Sequence, residues 1–494
     1  AGRIGGVPID VDILPAPGNR QKIVARATPH LPADADLLAH YLPPVWLGYV
    51  EGSLPLRIAF SLGGKGAISP IEITSTLAGT TVNLPAPANK SADRHMPVAV
   101  TVDADKRRVG AQIGGQHIDL ATQLGPQGVP ERMIIRLGAR GQRLTAPPGN
   151  GLWVGGHTPR VEAKGWFDVV RHVLYSAGDD QTAKPADDAS GASSAFSFLG
   201  SDITTDRLAI RDRYITDASI RAGAMRAGNG WRVNFDGPDS QGQATYTMGP
   251  GPGQRAPVAI DGSFKRVVVH TDTARQDANK AETPPNTSSL VWPDLSPTDL
   301  PALSLYVADF EVDDTAFGAL HTDARVTDNG WSLDRFELAG GALTGRVAAD
   351  WQVERDITTA GARAKLEGHG LSRLIRIFGF KAPVQAEKTR VDADLSIAPN
   401  VAGLDLLHLD GRMDLAMDDG TLLSVEPGPG RLLGLFNLYV LPRRLTLNFR
   451  DVVDDGLAFD KARAAFVIRN GQAYSRKAMI TTPSSNIEIS GRIG

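Results

Sequence analysis

The stretch Leu54-Pro55-Leu56-Arg57-Ile58-Ala59-Phe60-Ser61-Leu62 alternates large apolar residues with small or polar ones at every step. A period of two puts Leu56, Ile58 and Phe60 on one face of a strand and Arg57, Ala59 and Ser61 on the other. The same rule runs outward along the chain. It holds in Ile71, Ile73, Ser75 and Leu77, and in Val98, Val100 and Val102. It returns in Leu303, Leu305 and Val307, in Leu445, Leu447 and Phe449, in Phe466 with Ile468, and in Ile487 with Ile489. One wet face and one apolar face is the antiparallel pattern, because parallel strands covered on both sides read as continuous apolar runs. The expected fold class is mainly β.

Composition agrees. The 494 residues include 53 Gly and 33 Pro, which punctuate many short strands. There is no Cys, so disulfides, thiolate metal sites and a cysteine nucleophile are excluded. Zero Cys suits the cytosol and an oxidising compartment equally. Lys plus Arg is 52 against 55 Asp plus Glu, a net charge of −3. That balance lacks the basic footprint of a generic nucleic-acid binder, so no nucleic-acid partner is expected. The longest apolar run, Leu432 to Leu441, is interrupted by Gly434 and Asn437 and falls short of the ~18 residues that span a bilayer. The start, Ala1-Gly2-Arg3-Ile4, carries no targeting pattern, and the end, Ser490 to Gly494, reads as mid-strand. Both ends are expected to be cut from a longer protein.

Helical signals are few: Pro32 to Leu42, Trp166 to Tyr175, Leu371 to Phe378 and Arg431 to Leu441. Two polar segments without aromatics, 176–194 and 271–289, read as flexible loops. The expected organisation is strand modules over 1–175, a loop over 176–194, a module over 195–270, a loop over 271–289 and further modules over 290–494. Helices are expected near 371–378 and 431–441 in the last part. Asn229-Gly230, Asn329-Gly330 and Asn470-Gly471 read as tight hairpin turns, each followed by a strand that begins at a glycine: Gly242, Gly345 and Gly491. Phe310 to Phe317 parallels Val452 to Phe459. Repeated β-meander modules imply stacked strands.

No catalytic signature is present: no HExxH, no GxSxG and no Walker A loop. Gly428-Pro429-Gly430 opens a helix, but Pro429 removes an amide donor and the spacing is not that of a phosphate loop. No two of the ten His stand at helical ligand spacing, so His157 and His369 read as turn residues. The acidic pairs Asp313-Asp314, Asp418-Asp419 and Asp454-Asp455 read as turn chemistry. No enzyme, metal or cofactor is expected. The segment from Arg431 to Arg444 is different. Leu432, Leu433, Leu435, Phe436, Leu438, Tyr439 and Leu441 nearly encircle a helix that Arg431 precedes and Arg443 and Arg444 follow. Such a helix is either a core element or lies in lipid with its arginines on phosphates.

A one-faced apolar sheet with few helices to cover it either closes into sandwiches or curls into an open trough. Spacing leaves both open. Three stretches bear on the choice. They are Val82-Asn83-Leu84-Pro85-Ala86-Pro87 with Lys90; Gly420 to Leu435, with its Glu426-Pro427-Gly428-Pro429-Gly430-Arg431; and Leu441-Pro442-Arg443-Arg444-Leu445-Thr446-Leu447-Asn448-Phe449-Arg450-Asp451. Together with Gly151-Leu152-Trp153, Gly165-Trp166 and Ile487 to Arg492, they resemble the YhdP proteins of the AsmA-like superfamily along essentially the whole chain. The resemblance implies the trough: an elongated, curled antiparallel sheet forming a repeating β-groove. It implies a monomer in the Gram-negative periplasm, held in the inner membrane by an N-terminal helix absent here, that passes phospholipid to the outer membrane. Its partners are then phospholipid acyl chains and the inner leaflet of the outer membrane, or a protein there. The groove residues are expected to be Leu56, Ile58, Phe60, Ile71, Ile73, Val98, Val100, Val102, Leu303, Leu305, Val307, Leu333, Leu445, Leu447, Phe449, Phe466, Ile468, Ile487 and Ile489. The Arg431–Arg444 helix would act at the receiving membrane. Rival readings are a periplasmic scaffold that pairs strands with outer-membrane proteins, and a glycan-binding or hydrolytic β-solenoid.

Overall fold

A computed structural model describes residues 2–4, 7–9, 11–16, 19–27, 30–32, 48–62, 70–114, 117–126, 128, 130–138, 146–166, 168–169, 198–210, 213–225, 230–247, 259–271, 297, 300–372, 384–400, 408–422 and 457–493. The chain divides into two compact units, Ala1–Pro238 and Asp239–Gly494. Strands of the first are Gly2–Ile4 (β1), Val7–Ile9 (β2), Val11–Ala16 (β3), Asn19–Ala27 (β4), His30–Pro32 (β5), Val50–Leu62 (β6), Ile71–Ser75 (β7) and Thr80–Val82 (β8). They continue as Val98–Asp103 (β9), Arg108–Ile113 (β10), Ile118–Leu124 (β11), Pro130–Leu137 (β12), Gly151–Glu162 (β13), Phe198–Ile210 (β14), Arg213–Ala224 (β15) and Gly230–Asp236 (β16). Strands of the second unit are Ser240–Thr247 (β17), Ala259–Thr271 (β18), Ala302–Val312 (β19), Thr315–Thr327 (β20), Gly330–Gly340 (β21) and Leu343–Glu354 (β22). After these come Ile357–Gly368 (β23), Val384–Asn400 (β24), Leu409–Leu422 (β25), Leu457–Arg469 (β26), Gln472–Thr482 (β27) and Ser485–Ile493 (β28).

The mainly-β expectation is met. In the first unit, pairing runs β3–β4–β6–β7–β9 and then in chain order to β16, with β5 and β8 both paired to the first half of β6. In the second unit, pairing follows chain order from β17 to β28. Three pairs are parallel: β12–β13, β13–β14 and β18–β19. Alternation cannot reveal this, because it reports which faces are wet and not which way a strand runs. Parallel neighbours need a long return. The chain supplies one each time, over 138–150, 163–197 and 272–301, so the polar segment 176–194 falls inside a crossover, as does 271–289 apart from Thr271, which ends β18.

Local readings fare unevenly. Asn470-Gly471 is the two-residue turn between β26 and β27, with φ of 48° and 72°. Asn329-Gly330 is shifted by one: the turn is Asp328-Asn329, and Gly330 opens β21. Arg355-Asp356 makes an equivalent turn without any glycine, at φ of 51° and 66°. Gly242, Gly345 and Gly491 lie inside strands rather than at their starts. Asp313-Asp314 is a turn, but Asp418-Asp419 interrupts the ladder inside β25, where Asp419 sits at φ 50°. A bulge satisfies the same local preference as a turn, so composition does not separate them. Of the expected helices, Pro32 instead ends β5, and 33–42 lies outside the described residues. A helical turn begins at 163, before Trp166, and 170–175 is not described. Helix is seen at 371–372 only, 373–378 being outside the description. Among the described residues no helix is long and apolar enough to cross a membrane.

The core of the second unit gathers at one end of β18–β23. Val312, Phe317 and Leu343 are 0% exposed there, with Phe310, Leu338 and Leu366 packed around them. The bulges at Val307/Phe310 and Phe310/Glu311 bend β19 so that Phe310 and Phe317 stand with ring centres 5.9 Å apart.

Candidate functional site: a largely apolar sheet face

Residues directly opposite on paired strands share a face. In the second unit one row across ten strands reads Val307, Leu320, Leu338, Gly345, Leu366, Val391, Leu415, Ala464, Ala478, Ile489. It contains no polar side chain. Two rows away, the pairs read Leu303, Ala324, Leu333, Ala349, Ala362, Leu395, Gly411, Ile468. Leu305 and Phe466 are joined through Thr322, Phe336, Val347, Ala364, Ala393 and Met413. Ile487 joins the same face through Ile480, Ala462 and Met417. The expected residues Leu303, Leu305, Val307, Leu333, Phe466, Ile468, Ile487 and Ile489 therefore all lie on one face.

The first unit repeats the pattern. Ile58, Ile73, Val100, Ala111, Leu120, Ile135 and Val154 form one row over seven strands. Ile71 is opposite Val102, and Leu56 reaches Val98 through Ser75. Phe60, two residues beyond Ile58, shares their face. Thus Leu56, Ile58, Phe60, Ile71, Ile73, Val98, Val100 and Val102 also share a face. Val307 and Ile468 are buried, at 2% and 8% exposed; the other expected residues just named are half-buried. The ten-strand row changes character along its length: Val307, Leu320, Leu338 and Leu366 belong to the sealed cluster around Phe317, whereas Val391, Leu415, Ala464, Ala478 and Ile489 are half-buried.

The opposite face carries charge. Arg390 donates to Glu367 at 2.7 Å, Arg463 to Asp418 at 2.5 Å, and Lys365 stands 3.2 Å from Asp392. The hydrogen bond from Arg390 holds the Glu367 carboxyl below its ordinary value, and that from Arg463 does the same for Asp418. Such exposed pairs contribute little stability each. Their effect is to fix which face stays wet. Trp153 is the exception. It belongs to the wet face of the first unit yet is 4% exposed, because Gly155 leaves its indole room: a Cβ there would be 2.1 Å from the ring.

The Leu84-Pro85-Ala86-Pro87 segment lies beside β8. Trp166 Nε1 donates to Ala86 O at 2.7 Å, and the bare Gly165 faces Pro85. Lys90 is 2% exposed, and its Nζ donates to Thr80 O at 2.5 Å and Ser91 O at 2.8 Å. Burial pushes its pKa down.

Alternation missed much of the face. Val391, Ala393, Leu395 and Ile397 alternate with Asp392, Asp394 and Ser396, a signal as clear as any that was used. Leu320 and Leu338 are harder to find, since their strands place Thr322, Ala324 and Gly318 at inner or bulged positions and dilute the contrast. Leu445, Leu447, Phe449 and the Arg431–Arg444 segment lie outside the described residues. They belong to the insertion 423–456, whose flanks Leu422 and Leu457 are direct ladder partners. Among the described residues no group of three His, Asp or Glu could hold a metal.

The family described as YhdP protein matches residues 1–494 of the chain. A relative, the intermembrane phospholipid transporter YhdP of Escherichia coli, is 25% identical over 183 residues. That alignment covers 36% of this chain and 14% of the relative, a small part of that protein. No solved structure matches.

Proposed function

Since the chain belongs to the YhdP family, we propose that its apolar face carries phospholipid, acyl chains against the rows and headgroups in water. The observation that carries this is the half-buried stretch of that row over five strands, from Val391 to Ile489, which offers an acyl chain no polar side chain to desolvate. Each buried CH₂ is worth about 0.8 kcal/mol. Strands repeat every ~4.8 Å, so a chain displaced by one strand meets nearly the same surface. Neighbouring positions are close in energy, and transfer is a slide without a deep well. The relative's name as an intermembrane phospholipid transporter supports a place between two membranes, hence the periplasm of a Gram-negative cell. The chain works as a monomer. Its Arg431–Arg444 segment engages the receiving membrane, the inner leaflet of the outer membrane or a partner there.

Lipid extraction of the purified chain tests this. Phospholipid co-purifies with the native chain, and Leu56→Glu with Val100→Glu lowers occupancy several-fold while the β circular dichroism is kept. A lipid-free native chain, or unchanged occupancy in the folded double variant, overturns the reading. Removing Leu432 to Leu441 leaves occupancy intact and impairs delivery; if occupancy is lost instead, that segment is part of the core.

A further inference from the structure

The wet face of the second unit is not uniform. In the middle of β22–β26, Arg363 faces Asp394 at 3.7 Å, Lys365 faces Asp392, and Arg390 and Arg463 hold carboxylates. At one corner of β25–β28 the ion pairs thin out, although Arg412 is directly opposite Asp394 on β24. Arg412 is opposite Val467, Val467 opposite Tyr474, and Tyr474 opposite Arg492. Arg469, two residues after Val467, lies on the same face. Arg412 and Arg469 make no ion pair among the described residues, and Arg492 reaches only the neutral Gln472, at 3.3 Å. Between these arginines Val467 and Tyr474 are 42% and 40% exposed, two large side chains directly opposite each other on the wet face. Arg412, Val467 and Arg469 line an open cleft there. The near carboxylate, Asp410, accepts from the Asn470 backbone N–H at 2.8 Å.

Arginines around an exposed tyrosine and valine have the composition of a protein-binding hot spot. The charge complement is a carboxylate-bearing segment, since guanidinium forks bind carboxylates bidentately. The patch spans four strands, about 14 Å, which is roughly four residues of extended chain. An anionic bilayer is the poorer fit, because a broad surface pressed on this face would meet Asp392, Asp414 and Glu367 in addition to Asp394 and Asp410 beside Arg412, whereas a short segment can seat its carboxylates on Arg469 and Arg492. We propose that this corner docks a short acidic segment of a partner protein, its carboxylates on Arg412, Arg469 and Arg492 and an apolar side chain on Tyr474 and Val467.

The test titrates the native chain with a fluorescent peptide of alternating Glu and Leu residues, and separately with phosphatidylglycerol vesicles. The peptide binds, and Arg412→Gln with Arg469→Gln and Arg492→Gln weakens it at least tenfold. Tyr474→Ser weakens it severalfold. Arg363→Gln with Lys365→Gln, in the paired region, leaves it within twofold. All these residues are exposed and circular dichroism confirms folding. The proposal is overturned if the triple variant binds the peptide as the native chain does, if the paired-region variant loses as much, or if only the vesicles bind and the triple variant abolishes it.

Discussion

Lys90 is a buried ammonium whose bonded partners are two carbonyl oxygens. Desolvation lowers its folded pKa below the ordinary 10.5. Between the two values the unfolded chain binds more protons than the folded one, so stability rises with pH across that window. Lys90→Met flattens this rise, as the denaturation midpoint followed against pH toward 10.5 will record; an identical slope in both proteins contradicts the assignment. Gly345 tests backbone conformation. It lies mid-strand at φ 143°, and a Cβ there would be 2.0 Å from Lys365 O. Gly345→Val forces β22 from β23 and costs about 1–3 kcal/mol, read from the urea midpoint. Neither role is legible in sequence. Gly345 looks like the start of a strand because a glycine after a polar stretch suggests a turn. Only the approach of the neighbouring strand shows that it is needed inside one.

At the level of elements, the two kinds of apolar surface should respond differently. Leu343, 0% exposed in the sealed cluster, costs about 2–5 kcal/mol when cut to alanine. Ile489, half-buried on the same sheet and not packed on that cluster, costs clearly less, and added phospholipid stabilises the native chain more than Ile489→Ala. Equal costs without lipid would mean that the whole face is ordinary core. The wet face has its own signature. Glu367 and Asp418 have folded pKa values held down by Arg390 and Arg463. Their contribution is present above the ordinary 4.5 and 3.8 and is lost as pH falls through the folded values. Glu367→Gln with Asp418→Asn therefore reduces the acid sensitivity of the unfolding midpoint, by a small amount since both pairs are exposed. Strands were legible wherever Leu, Ile or Val alternated with charge. They were hidden where Ala, Gly and Thr occupy the inner face, and strand direction was hidden throughout, because direction is set by the length of the connection.

For the whole molecule, the central claim is chemical segregation of two sheet faces with lipid confined to one. The apolar rows came from period-two patterning, while the resemblance to a family decided between trough and sandwich. Pattern alone could not, since both bury the same faces. β24 offers the sharpest test, with Leu395 on the apolar face and Asp394 beside it on the wet face. A photoreactive side chain placed at each position in turn, irradiated in cells, reports whether phospholipid lies within reach. The account predicts phospholipid adducts at 395 and none above background at 394. Equal labelling at both positions, or none at 395, would contradict it.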